Sequence, residues 1–116
     1  MARVLVADDS PLVRAAVVRR IKGGGHDVVE ADSVRSASAL VTDGLACALL
    51  DLDLGDGWGT DVAEKLRASA PSLPIAFFTS EQGGERVERA KTFGPVFSKP
   101  EDIDGAIAWV ASVSRA

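Results

Sequence analysis

Ala46-Cys47-Ala48-Leu49-Leu50-Asp51-Leu52-Asp53-Leu54-Gly55-Asp56-Gly57-Trp58-Gly59-Thr60 is an apolar run that breaks abruptly into acids and glycines. A short run without polar alternation, here Ala46 to Leu50, reads as a strand buried on both faces, as in the middle of a parallel sheet. From Thr60 to Ser69 the apolar spacing becomes helical, with Val62, Ala63 and Leu66 inward, and Pro71 stops the helix. The same strand-then-helix unit recurs on either side of this stretch. Further strands are expected at Arg3 to Ala7, Val28 to Ala31, Ile75 to Phe78 and Val96 to Ser98. After the first, Ser10 can cap a helix that has Pro11 in its first position, a stripe of Leu12, Val13, Ala16, Val17 and Ile21, and Gly23 to Gly25 as its end. Ser33 to Thr42 reads as a shorter helix, and another lies within Glu81 to Phe93, where Gly83-Gly84 costs about 1 kcal/mol per glycine in a helix interior. The last begins near Asp102 and turns Ile103, Ala106, Ile107 and Val110 inward, with Trp109 at the edge of the buried face.

Strand and helix alternate five times with no repeat and no linker, so residues 1–116 are expected to form one domain. Right-handed crossovers then give an α/β fold, a five-stranded parallel sheet with helices on both faces. At 116 residues and 47% hydrophobic the chain suits one ordinary globular core. No apolar run is long enough to cross a bilayer, and the first residues enter a strand pattern where a signal peptide would have an apolar core. A cytoplasmic location without membrane contact is the expectation. The net charge of −4, with lysines and arginines scattered, argues against direct nucleic-acid binding by this domain. Cys47 has no second cysteine to pair with and reads as a small buried hydrophobe. The lone His26, after three glycines, reads as a loop residue, which leaves no material for a histidine triad or a His-rich zinc site.

Parallel sheets bind ligands at the carboxyl ends of their strands. Those ends carry Asp8-Asp9, Asp51-Leu52-Asp53, Thr79-Ser80 and Lys99-Pro100. Two carboxylates about 4 Å apart repel by about 4 kcal/mol at an effective dielectric of 20, so several converging there need a cation or raised pKa values. Oxygen-only donors with open positions suit Mg²⁺, which keeps waters and is completed by phosphate oxygens. Lys99 adds a positive charge and Thr79 a hydroxyl, a set able to neutralise a phosphoryl group in transfer, with a carboxylate as nucleophile. Taken singly, each residue has an ordinary explanation as a turn, a cap or a surface charge. Agreement among four strand ends favours the chemistry.

Four segments in this order resemble the receiver domain of two-component response regulators, over essentially the whole chain: Leu5 to Ser10, Leu49 to Gly59, Phe78 to Ser80 and Ser98 to Pro100. The resemblance implies a flavodoxin-like, doubly wound sheet with strand order 2-1-3-4-5. It implies that Asp51 is the phosphoacceptor, with a phosphohistidine on a histidine kinase or histidine phosphotransfer protein as donor and a downstream protein as target. Mg²⁺ would be held by Asp9 directly, by Asp51, by Asp8 through water and by the backbone carbonyl of Asp53. Thr79 would bond the phosphoryl group and move with it, Lys99 would pair with it, and Lys99-Pro100 would be a cis peptide. The domain would then be a signalling switch, capable at most of slow self-phosphorylation from small donors and self-dephosphorylation.

Three departures stand out. Gly55 occupies a position where the family usually has proline, which is expected to loosen the loop without removing a ligand. Val96 stands three residues before Lys99, where an inward-swinging aromatic is common, and Gly94-Pro95 replaces the usual run of small residues. These bear on how a signal leaves the site. Trp58 reads equally well as a contact for the donor protein or as a hydrophobe over the third helix, and Trp109 as an edge-of-core residue or part of a homodimer surface. Two other readings compete with the receiver. One is an aspartate-nucleophile phosphohydrolase, suggested by Asp51-Leu52-Asp53 but with the paired acids Asp8-Asp9 on the wrong side of it; the other is an unphosphorylated interaction module of the same fold.

Overall fold

In the computed structural model, residues 2–40 and 42–114 are described. Five parallel strands, β1 (Arg3–Ala7), β2 (Asp27–Ala31), β3 (Leu45–Leu50), β4 (Ile75–Thr79) and β5 (Val96–Ser98), form one sheet in the order β2-β1-β3-β4-β5. The helices between and after them are α1 (Pro11–Gly23), α2 (Val34–Ser38), α3 (Gly59–Ser69), α4 (Glu85–Lys91) and α5 (Ile103–Val113). The fold class, the parallel pairing and the strand order are those expected.

Alternation along each strand divides the core in two. Leu5, Ala7, Leu50 and Phe77 face α2, α3 and α4, meeting Ala37, Val62, Leu66, Val87 and Ala90. Val4, Val6, Cys47, Leu49 and Phe78 face α1 and α5, meeting Val17, Ile21, Ala106 and Val110. Burying each large aliphatic or aromatic side chain contributes about 2 kcal/mol, and Phe77, Leu50 and Ile75 between the layers are essentially inaccessible.

Two helix expectations need correction. On α1 Val13, Val17 and Ile21 of the expected stripe face the core and Val18 joins them, whereas Ala16 is exposed and Leu12 is 82% exposed. The buried face is shifted toward Val18 at the expense of Leu12 and Ala16, and Arg14 anchors the helix by donating to the Asp8 carbonyl at 2.8 Å and to Glu30 at 3.1 Å. The helix expected from Ser33 to Thr42 is a five-residue α2 followed by a turn closed by Leu40 N–H on the Ala37 carbonyl at 3.2 Å; Val41 lies outside the described residues. Gly83-Gly84 does not interrupt the fourth helix but precedes it, with Gly84 as its cap at φ +96°.

Gly94 ends the α4 segment where the chain passes directly beside β4. A Cβ there would stand 1.7 Å from the Ile75 carbonyl oxygen, whereas one at Gly83 would meet nothing within 4 Å. Gly94→Ala is therefore expected to cost about 3 kcal/mol by forced backbone displacement, and Gly83→Ala less than about 0.5 kcal/mol. Urea unfolding of the two variants beside the parent chain checks this; equal midpoints would contradict the packing.

Candidate functional site

The site is assembled from the ends of β1, β3, β4 and β5. Asp51 continues β3 through its N–H to the Ala7 carbonyl at 2.8 Å, which sets it beside the end of β1. There the Asp8 carboxylate accepts the Ser10 N–H at 2.9 Å and turns the chain into α1, which Ser10 caps by accepting the Val13 N–H at 3.3 Å. Lys99 is brought in by its N–H to the Thr79 carbonyl at 2.8 Å, and its peptide bond to Pro100 is cis.

Lys99 Nζ lies 2.7 Å from Asp8 Oδ2 and 2.9 Å from Asp51 Oδ2. Asp8 and Asp51 are buried, at 4% and 7% exposure, while Asp9 is exposed. All three bring a carboxylate oxygen within 4.8 Å of one another. Thr79 is buried at the end of β4, where its hydroxyl oxygen accepts the Glu81 N–H at 3.2 Å. The residues singled out at the four strand ends thus meet at one edge, with one difference: the Asp53 carboxylate is exposed and accepts the Gly55 N–H at 3.0 Å, outside the carboxylate cluster.

Asp53 belongs to a loop that closes on itself. Gly59 N–H bonds the Leu52 carbonyl at 2.7 Å and Leu54 N–H the Gly57 carbonyl at 3.0 Å, pairing Asp53 with Trp58 and leaving the Asp53 carbonyl out of both bonds. Gly55 stands at φ +83°, which a proline ring locked near about −65° cannot reach. The loop is tied elsewhere: the Asp56 carboxylate accepts the N–H groups of Val34 and Arg35 at 2.8 and 3.1 Å, fastening it to the start of α2. Those two bonds hold the Asp56 carboxyl below its ordinary value. Sequence reasoning missed this tie, because a contact across 22 residues leaves no local signal.

Burial pushes the Asp51 carboxyl above its ordinary value; the hydrogen bond and charge of Lys99 oppose this, and the charge of Asp8 adds to it. Burial works against the Lys99 ammonium too, but Asp8 and Asp51 outweigh it and hold Lys99 above its usual value. A lysine whose protonated form is favoured therefore faces a carboxylate that its surroundings under-stabilise.

This parallel α/β sheet with an acidic cluster and a lysine at its carboxyl edge defines a class, and comparison with known proteins gives the family. Residues 4–108 match the response regulator receiver domain, and the chain belongs to that family. It is similar to a glycerol metabolism activator of Pseudomonas putida, 36% identical over 100 residues, covering 83% of this chain and 45% of the relative. It is also similar to the virulence transcriptional regulatory protein PhoP of Salmonella typhimurium, 29% identical, covering 99% of this chain and 53% of the relative. The chain thus spans about half the length of these curated relatives. Among solved structures, the non-phosphorylated HemR receiver domain of Leptospira biflexa superposes with a TM-score of 0.88 at 23% identity, covering 100% of this chain and 96% of that one, a likeness of fold. The chain is a receiver domain of the two-component response regulators, a signalling domain. Among the described residues, no helix is long and apolar enough to cross a membrane.

The raised Asp51 value sets a sign. The folded state binds a proton at Asp51 more readily than the unfolded chain, so stability from this group grows as pH falls toward the ordinary carboxylate range near about 4 and is absent at neutral pH. Asp51→Asn is accordingly expected to raise stability at pH 7 by about 1 kcal/mol, the usual size of relieved functional strain, with the gain shrinking as pH is lowered. Urea midpoints of both chains at pH 7 and pH 5 measure it; a less stable variant at pH 7 would contradict the electrostatics.

Proposed function

We propose that Asp51 accepts a phosphoryl group from a phosphohistidine on a histidine kinase or histidine phosphotransfer protein, and that the modified domain changes its affinity for a downstream protein. The observation that carries this reading is the buried Asp51 carboxylate, held by Lys99 on one oxygen and sharing a cluster with Asp8 and Asp9. Asp8, Asp9 and Asp51 fit Mg²⁺ by their chemistry: three hard oxygen donors lie close together, one ammonium cannot balance them, and the exposed Asp9 leaves an open side. Asp9 and Asp51 would hold the ion directly, Asp8 through water, and Asp53 through the carbonyl that its loop leaves unused. When bound, the ion supplies charge neutralisation for the phosphoryl oxygens and for the acids themselves.

With Lys99 on Oδ2, the other Asp51 oxygen is left to attack phosphorus. The new bond is O–P; the bond that breaks is P–N, and its electron pair leaves with the donor imidazole. Lys99, held protonated, stabilises charge on the transferring oxygens without a proton transfer of its own. The Thr79 hydroxyl accepts from Glu81 N–H and so retains its own proton to donate to a phosphoryl oxygen. On this reading the domain is a phosphoprotein that acts in the cytoplasm, and its reaction with small donors is slow and stoichiometric.

Incubation with acetyl phosphate and Mg²⁺, followed by intact mass measurement, tests the assignment. One added phosphoryl group is expected on the parent chain and none on Asp51→Asn. Equal labelling of both would remove Asp51 from the role, and many turnovers of the small donor per chain would indicate a phosphohydrolase.

A further inference from the structure

Trp58 and Arg86 come from different elements and meet face on. The Arg86 guanidinium carbon lies 3.6 Å from the centroid of the Trp58 ring. Neither residue is used in the phosphoacceptor chemistry, yet each is wired to one side of the site. Trp58 closes the Leu52–Gly59 loop opposite Asp53, and the next residue, Gly59, packs so closely on the Asp51 backbone that a Cβ there would stand 2.0 Å from the Asp51 carbonyl oxygen. The Asp51–Leu52 backbone is thus in direct contact with the start of α3, through that approach and the Gly59 N–H to Leu52 carbonyl bond at 2.7 Å, and Trp58 is the residue beside it. Arg86, in the first turn of α4, follows the segment that leaves β4 at Thr79, whose hydroxyl is the acceptor for Glu81 N–H. That segment ends in Gly83-Gly84, where an added Cβ would meet nothing within 4 Å and where Gly84 sits at φ +96°.

The remainder of the α3 to α4 seam is held independently. Arg89 pairs with Glu64 at 2.8 Å, and Arg67 donates to the Phe93 carbonyl at 2.7 Å. The Trp58–Arg86 contact can thus change while the helices stay together. Trp58 is half-buried and Arg86 exposed, so the stack lies at the surface and its loss leaves both cores intact.

We propose that the Trp58–Arg86 stack couples the state of Asp51 to the position of α4. The proposal rests on the phosphoacceptor reading. A phosphoryl group on Asp51 that takes the Thr79 hydroxyl as donor changes the distance between the β3–α3 loop and the Thr79–Gly84 segment, and the stack joins that loop to the first turn of α4, which the segment leads into. Coupling of this kind is reciprocal: if occupation of Asp51 alters the stack, removing the stack alters the affinity for whatever occupies Asp51.

The chain has two tryptophans, and Trp109 lies on α5, packed in the cluster on the other face of the sheet. Trp109→Phe leaves Trp58 as the only indole reporter. This chain is titrated with beryllium fluoride and Mg²⁺, a stand-in for the phosphoryl group. Adduct formation is followed separately by fluorine NMR. The proposal expects a saturable change in Trp58 emission that tracks the adduct. In the Trp109→Phe, Arg86→Ala chain it expects the adduct to form without that change, with an apparent affinity shifted at least about fivefold, the lower edge of ordinary coupling. Arg86→Lys, which keeps a cation over the ring, should retain part of the response. An adduct with silent Trp58 emission, or an identical response and affinity in the Arg86→Ala chain, overturns the coupling alone. Absence of an adduct in the parent overturns the phosphoacceptor reading, and the coupling with it.

Discussion

Three carboxylates against one ammonium is the imbalance around which the carboxyl edge of the sheet is built. Asp8, Asp9 and Asp51 bring oxygens within 4.8 Å of one another, and Lys99 answers two of them. The nearby Arg14 offers no relief, because its guanidinium is engaged by Glu30 and the Asp8 carbonyl. A buried charge without a full complement of partners is costly, and the raised Asp51 carboxyl is the local expression of that cost. An edge left short of positive charge, with only oxygen donors, is suited to a divalent cation and to the phosphoryl chemistry such an ion supports.

The rest of the fold holds this imbalance in place. Parallel pairing puts all five strand ends on one side, and burial of β1, β3 and β4 on both faces fixes their register: a one-residue slip would exchange the residues of the two apolar layers. Asp51 is fixed by the Ala7 carbonyl beneath it and by Gly59 against its own carbonyl, and Lys99 by its bond to Thr79. Loops that bind have more freedom than strands, and the Leu52–Gly59 loop is given its shape by internal closure and by Asp56 on the start of α2.

Most of this was legible in the sequence because it depends on local signals. Apolar runs of strand length ending in acids, and helices announced by Ser10-Pro11 or ended by Gly23 to Gly25, are short-range patterns with a direct physical cause. The residues that meet at the site were legible for the same reason: each sits at the end of a strand or within two residues after it. The edge of the buried face of α1 was not, because Leu12 and Ala16 satisfy helical spacing as well as Val18 does, and contacts from distant elements, among them Arg14 to Glu30, set how the helix lies. The short α2 escaped for a similar reason: it is fixed by a capping box between Ser33 and Ser36 and by a carboxylate from another element. The stacking of Arg86 on Trp58 had no sequence signal at all, since nothing in either neighbourhood specifies a partner 28 positions away.

The central claim is that one divalent ion is taken up where these carboxylates meet. Titration of Mg²⁺ into the isotopically labelled chain, followed through backbone amide shifts, addresses it directly. One saturable event is expected, confined to residues 8–10, 51–55 and 99 and weakened when Asp9 is replaced by Asn. Shifts scattered over the surface, or none at excess Mg²⁺, would contradict it.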